Sequence, residues 1–575
     1  MIIIQTVKKK EMKSNYKIYT ATIVFCIALV IGSCRKLSQE PSTTITDATY
    51  WKSANDLALA CNALYAYLPG PNRDDPDYLT ATDQEAYGDF AYGTAASLIS
   101  NGTWLVPANS PEWSGLYTLV RVANNILGKS AQVNADTALI NKYLGEARWF
   151  RAYAYFELVK RYGDVPLILK ALTTSDEELY SPRLDREIIL DTVYADLDYA
   201  AAHCPVASSQ TAAEYGRITR STALALKSRI ALFEGTWNKY HGSGDPVKHL
   251  SIAVTASSAI ITEGKHTLFT YTAIKDSSYF YLFQYASDGS LGYSNNKESL
   301  LSKLYYGASY TSYVTRHNIT SVIGTRGFIA TKALLDQYLY KDGLPVKRSA
   351  YYKAHEDSSM TEFLDRDPRA GMSIFNKRTA GNIYNVKIPY TLYIPAKWYV
   401  RADHVSNSGY GFNDFIVLRY AEVLLNYAEA IYELNGSISD ADLNKTINAI
   451  RNRASNNNTA RLVLLTNAFV TANDLDMLTE IRRERNVELA LEGFRYWDLL
   501  RWKTAETELP KPMLGPKYFP NEMTGLSVPQ MNADSIIIYE AAANRGFNPQ
   551  RHYLWPIPTL QIGLSKGTLT QNPNW

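Results

Sequence analysis

The 575-residue chain has only 4 cysteines. It contains no Cys-x-x-Cys and no His-Glu-x-x-His, and its 8 histidines fall at no ligand spacing, so no zinc motif is visible. So few thiols exclude a disulfide-stapled scaffold. Charge of one sign is also scarce. The formal net charge is +3, from 59 basic and 56 acidic residues, which leaves no electrostatic footprint for nucleic acid. Catalytic signatures are missing too. "DGSLG" from Asp288 lacks the first glycine of a nucleophile elbow, and "HGSGDP" from His241 lacks the lysine and spacing of a phosphate loop. Both read as turns. No Asp/Asn/Gly cluster matches an EF-hand, and nothing calls for a cofactor.

No apolar run is long enough to span a bilayer, which takes about 20 residues. The run from Ile18 to Ile31 is about 14 residues, the length of a signal h-region, and Lys13 and Lys17 supply its basic flank. Residues 1–33 are therefore expected to be a signal peptide, with Met12 an alternative start. Ile31-Gly32-Ser33-Cys34 resembles a bacterial lipobox, which makes Cys34 the expected lipidation site. Several acyl chains on one residue would anchor firmly, where one chain is marginal. Fatty-acid labelling should be lost in Cys34→Ala; label retained on that variant would remove the anchor. Cys26 lies in the h-region, so Cys61 and Cys204 are the thiols of the mature body, and spacing leaves their pairing open.

What the chain has in abundance is tyrosine: 43, against 17 phenylalanines and 10 tryptophans. A tyrosine offers an apolar ring and a polar tip. The chain otherwise reads as helices separated by long irregular inserts. Leu144, Ala147, Phe150, Ala154 and Leu158 mark one helical face, stopped by Gly163 and Pro166. "REIILDTVYADLDYAAAHCP" and "RITRSTALALKSRIALFEGTW" read as a second helical pair, and His249 to Ile261 as a further amphipathic helix. "DFIVLRYAEVLLNYAEAIYEL" follows late, with Ala421 and Ala428 seven apart, where helices could approach closely. The pattern suggests a tetratricopeptide-like stack. Asp74 to Pro111 and Lys265 to Tyr410 lack periodicity, and Lys511 to Trp575 is rich in turns. Loops this long are usually functional.

Several segments match a known family in order. They are "CRKLSQEPSTTITDATYWKSANDLALACNALYAYL", "EARWFRAYAYFELVKRYGDVPL", "YKDGLPV", "RDPRAGMSIF", "FIVLRYAEVLLNYAEAIYEL", "IRRERNVELALEGFRYWDLLRW" and "YLWPIPTLQIGLSKGTLTQNPNW". Across residues 34–575 the chain resembles the SusD/RagB outer-membrane nutrient-binding lipoproteins of the Bacteroidetes. The resemblance implies a mostly α fold, with about four tetratricopeptide-like helix pairs packed against an irregular, loop-rich half with short strands. It implies a first part over 34–264 and a second over 265–575. It also implies a non-enzymatic protein on the outer face of the outer membrane, acting as lid to a SusC-like TonB-dependent barrel. Such a lid captures a glycan or, in some members, a peptide. Surface-displayed members often carry acids just after the lipid cysteine; here Arg35-Lys36 follows it and the first acid is Glu40.

"ERNVELALEGFRYWDLLRW", from Glu484, tests the rival reading as a glycoside hydrolase. Val487, Ala490, Leu491, Phe494 and Trp497 predict one core-facing face of a continuous helix. Glu484, Glu488 and Glu492 step along another face, with Arg485 and Arg495 three residues from a glutamate. Carboxylates side by side on one helix do not flank a substrate as a glycosidase pair does. The segment is expected to be structural, with Arg419, Glu422 and Glu429 as partners from the preceding helix.

A sugar ring needs an aromatic face and polar groups at its rim. Two stretches qualify. The first holds Asp83, Tyr87, Asp89, Tyr92, Asn101 and Trp104. The second holds Tyr279, Tyr281, Tyr285, Asp288, Tyr293 and Asn296, extended by Tyr305, Tyr306, Tyr310 and Tyr313. Trp104 is the best single candidate. A scaffold that bound only other proteins would need none of them.

Overall fold

The computed structural model describes residues 50–71, 80–211, 214–288, 296–305, 317–325, 328–352, 358–359, 361–376, 392–400, 410–523 and 527–575. Backbone contacts divide the chain into Met1–Lys52 and Ser53–Trp575. Cys34 lies outside the described residues, and the fold belongs to the second unit.

Two short helices, α1 (Ala54–Asn62) and α2 (Ala81–Ala86), precede the stack. The stack itself begins with α3 (Pro111–Lys129), α4 (Thr137–Tyr162), α5 (Arg186–His203), α6 (Arg220–His241) and α7 (Pro246–Glu263). Each of these five starts on a side-chain cap. Ser110, Asp136, Asp185, Thr219 and Asp245 accept backbone N–H groups of the first turn, a contribution of about 1 kcal/mol each. Gly163, at φ +70°, ends α4 where the sequence placed its stop.

A four-residue helix α8 (Ser278–Tyr281) lies in the irregular half. The stack then resumes with α9 (Tyr420–Asn435), α10 (Ile447–Ser455), α11 (Met477–Glu488) and α12 (Arg495–Arg501). Successive helices pack in a ladder: α3 on α4, α4 on α5, α5 on α6, α6 on α7, α7 on α9 and α9 on α11. The third pair is thus completed only after residues 264–419 have intervened. Close approach explains two glycines. A Cβ at Gly235 of α6 would come within 2.8 Å of Leu250 on α7, and one at Gly145 of α4 within 2.7 Å of the Cys204 thiol. Ala421 and Ala428 sit in the core of the late helices with Leu424, Leu425, Ile447, Ile450 and Ile481, all fully or almost fully buried. Each large aliphatic there contributes about 1.5–3 kcal/mol.

The one-faced reading of α4 is corrected. From Trp149 to Tyr162 every residue is buried, because both neighbouring helices and the irregular half close over it. Among the described residues the strands form four two-stranded antiparallel pairs. They are β1 (Ala91–Tyr92) with β3 (Ile329–Ala330), β2 (Ser299–Lys303) with β6 (Phe415–Arg419), β4 (Ile374–Asn376) with β5 (Tyr393–Pro395), and β7 (Met513–Lys517) with β8 (Ile536–Glu540). Among the described residues no helix is long and apolar enough to cross a membrane.

Candidate functional site

The acidic segment is not one helix. α11 stops at Glu488, the chain turns through Leu491 (φ +65°) and Gly493 (φ +83°), and α12 begins at Arg495. The break carries Glu492 toward the end of β6. There Arg419 is the hub: its guanidinium reaches Glu488 at 2.6 Å, Glu298 at 3.0 Å and Glu492 at 2.8 and 2.9 Å. Arg369 reaches the other Glu488 oxygen at 3.0 Å, and Arg453 bonds both Glu488 and Glu298. Lys397 holds Glu492 at 2.8 Å. All these side chains are buried. Burial opposes the Glu488 charge, but the Arg453, Arg419 and Arg369 guanidinia outweigh it and hold the carboxyl well below the usual carboxylate range. A general acid must keep a proton near neutral pH; a carboxylate among three arginines does not.

The pairs expected within the helix do not form. Arg485 takes Asp498 at 2.8 Å, and Arg495 takes Asp89 at 2.7 and 3.0 Å. Glu422 pairs with Arg229, and Glu429 with Arg501. Inside a protein a charge takes the best-aligned partner in space, not the nearest in sequence.

Glu85 on α2 differs. It is fully buried, accepts the Gly493 N–H at 2.9 Å, and its other oxygen has no hydrogen-bond partner among the described residues. Burial pushes its carboxyl up from 4.5 to about 7, against the backbone N–H groups of Gly493 and Leu491. A carboxyl raised on folding stabilises fully below its unfolded value, and that contribution is lost as pH rises through the folded one. Glu85→Gln, which imitates the protonated acid, should raise the urea midpoint at pH 8.5 by about 3 kcal/mol equivalent and leave it near wild type at pH 4. Equal shifts at both pH values would show that the group does not titrate on folding.

In the first aromatic stretch, two expected ligand groups are consumed by the fold. Asp89 is the buried partner of Arg495. Asn101 is buried, donates to Glu540 at 3.1 Å and accepts from Thr103 at 3.1 and 2.6 Å. Asp83 is half-buried in the first turn of α2, where Thr80 caps its N–H. Tyr87 and Trp104 both pack edge-on against Trp555, at 5.9 and 5.2 Å, and Trp104 also meets Trp575 at 4.7 Å. Trp104 keeps part of its ring exposed. Tyr92 is half-buried and stacks on Tyr539, with ring centroids 5.6 Å apart.

In the second stretch Tyr279 is fully buried. Its hydroxyl donates to the Glu488 carbonyl at 2.7 Å, and Lys397 and Arg453 lie over its ring, so it is core beneath the ion network and not a ligand-facing ring. Asp288 is also buried and accepts the Asp414 N–H at 3.2 Å. Asn296 bonds three backbone groups, and Tyr305 is buried against His317. Tyr281 is half-buried and lies 4.2 Å from Tyr271, with Phe280 and Phe375 continuing the wall. Tyr285 packs against Phe412 at 4.7 Å and accepts that residue's N–H. Tyr293, Tyr306, Tyr310 and Tyr313 lie outside the described residues.

The sequence reading missed Tyr271, Phe375 and Tyr539. Each is a single ring that gains its partner only through folding, and none belongs to a dense aromatic run. Cys61 and Cys204 are free and buried. Among the described residues no group of three or more His, Cys, Asp or Glu is placed to hold a metal ion.

Residues 374–575 match the family model described as "SusD family", and residues 47–232 the one described as "Starch-binding associating with outer membrane". SusD-like protein P2 of Formosa agariphila is 24% identical over 97% of this chain and 100% of its own length. A SusD-like carbohydrate-binding protein from Bacteroides fragilis superposes with a TM-score of 0.69 at 23% identity, covering 91% of this chain and 99% of that one. A laminarin-binding SusD-like protein superposes at 0.62 with 20% identity, over 91% of this chain and 100% of that one.

Proposed function

The chain belongs to the SusD/RagB family, and on that premise we propose that it is a lipid-anchored protein of the outer-membrane exterior that captures an oligosaccharide and delivers it to a SusC-like TonB-dependent barrel. The observation that carries the reading is the half-buried wall of Tyr271, Tyr281, Phe280 and Phe375, set outside the helical stack. Half-buried aromatic rings of this kind suit the C–H face of a sugar. The laminarin named for a relative of this fold is a ligand of that type. The ion network supports binding without cleavage, since Arg369, Arg419 and Arg453 hold the Glu488 carboxylate charged. Anchoring rests on Cys34 in its lipobox-like setting.

The test is calorimetry and affinity electrophoresis of the purified mature chain against starch, laminarin and xyloglucan. Wild type should bind at least one of them and release no sugar from it. Tyr281→Ala should weaken that binding by about 2 kcal/mol, roughly 30-fold, as for a hot-spot aromatic. Liberated oligosaccharide would turn the reading to a hydrolase, and preference for a peptide digest would turn it to peptide uptake.

A further inference from the structure

A second cleft, lined by none of those four rings, lies between the hairpin β7–β8 and the segment that follows β3. Two adjoining cavities, each of about 300 Å³, share Lys332, Lys347, Tyr352, Asp534 and Ile536 in their linings. Each is already of small-ligand size, about 300–1,000 Å³. Tyr340, Tyr352 and Phe519 give the space aromatic walls.

Most charges around it are already satisfied. Lys332 bonds Asp336 at 2.8 Å and approaches Glu362 at 3.5 Å, Lys511 holds Glu508 at 2.6 Å, and Asp89 is engaged by Arg495. Lys347 and Asp534 stand apart from this pattern. Both side chains are exposed, both line both cavities, and neither pairs with the other or with any described residue. Lys347 has φ +66°, and Ser535, directly after Asp534, has φ +60°; both are left-handed conformations disfavoured once a Cβ is present. The second turn is fixed by hydrogen bonds. The Ser535 N–H donates to the Asn532 carbonyl at 3.1 Å, and the Ser535 carbonyl accepts the Tyr518 N–H at 2.7 Å.

An open donor and an open acceptor thus face one aromatic-walled space without meeting. A ligand of a single charge sign would satisfy one and repel the other. A neutral polyol satisfies both, because every hydroxyl gives and takes a hydrogen bond while its C–H face covers a ring. We propose that this cleft is a second saccharide subsite, taking neutral, hydroxyl-rich sugar units through Lys347, Asp534 and the Tyr352 and Phe519 rings. The proposal rests on the glycan-binding reading above and adds a location separate from the Tyr271–Tyr281 wall.

The test uses the full mature chain with starch, laminarin and xyloglucan, and with oligosaccharides of increasing length cut from whichever binds. Lys347→Ala and Asp534→Ala remove exposed, unbonded groups, so their melting temperatures should equal that of wild type. Each should weaken the longer saccharides roughly ten-fold, as for loss of a charged hydrogen-bonding group, and the double variant should lose the gain in affinity with chain length. Wild-type affinity and length dependence in both variants, with Tyr281→Ala weakened, would overturn the cleft and leave the binding protein standing. Failure of wild type to bind any saccharide would remove both. A wild-type preference for zwitterionic peptides that depended on Lys347 and Asp534 would keep the cleft as a site but overturn its assignment to sugar.

Discussion

Glu488→Gln should destabilise the fold by about 3–5 kcal/mol, read as a shift in the urea midpoint, while the folded variant keeps its saccharide affinity. The size follows from what the substitution leaves behind. Arg369, Arg419 and Arg453 all bond this carboxylate, and all three are buried. Glutamine conserves the shape and removes the charge, so three buried guanidinia lose a shared counter-ion. Glu298, Glu484 and Glu492 remain nearby to hold the arginines, which keeps the loss short of complete unfolding. The variant separates scaffold from site. Normal melting with binding gone would place Glu488 in the ligand's path and reverse its assignment.

Acid should unfold the protein between about pH 4.5 and pH 2. Glu429 on α9 is fully buried and bonds Arg501 at 2.6 and 2.8 Å and the Trp502 indole N–H at 2.6 Å. Burial opposes its charge, but Arg501, backed by Arg485 and Arg482, holds its carboxyl down at about 2. The sign is that of a depressed carboxylate. Its stabilisation is complete above the unfolded value near 4.5 and is lost as pH falls through the folded value. By pH 3 Glu429 has forfeited about 2 kcal/mol, and Glu488, depressed in the same direction, loses about as much again. Together that is a large share of the roughly 5–15 kcal/mol that holds a typical fold. The measurement is the urea midpoint from pH 7 to pH 2.5. A flat profile across pH 4 would mean that folding leaves the titration of these carboxylates unchanged, so that their arginine partners do not hold them down.

Much of the helical stack was legible because caps and periodicity agree. Asp136, Asp185 and Thr219 stand where the apolar rhythm begins, and Gly163 stands where it ends. The break at Leu491–Gly493 was not legible from apolar spacing. Val487, Ala490, Leu491 and Trp497 are all buried, and a segment enclosed on every side keeps an apolar rhythm through a turn as readily as along a helix. Gly493 was the available signal. Tyrosine count carried still less information. Tyr279 and Tyr281 are two residues apart; one is fully buried under an ion network and the other shows part of its ring, because they leave α8 on different sides. Lys347, Tyr352, Phe519 and Asp534 come from separate stretches and meet only through folding, so no motif announced the cleft.

The separation of α7 from α9 has a temporal consequence. At about 5–20 residues per second, a nascent chain finishes α7 on the order of 10–30 s before its neighbour exists. For that interval Ile261, which belongs against the α9 cluster, has no shelter of its own. The first half of the molecule therefore leaves the ribosome as an unfinished edge, sticky until something shields it or the remaining chain arrives.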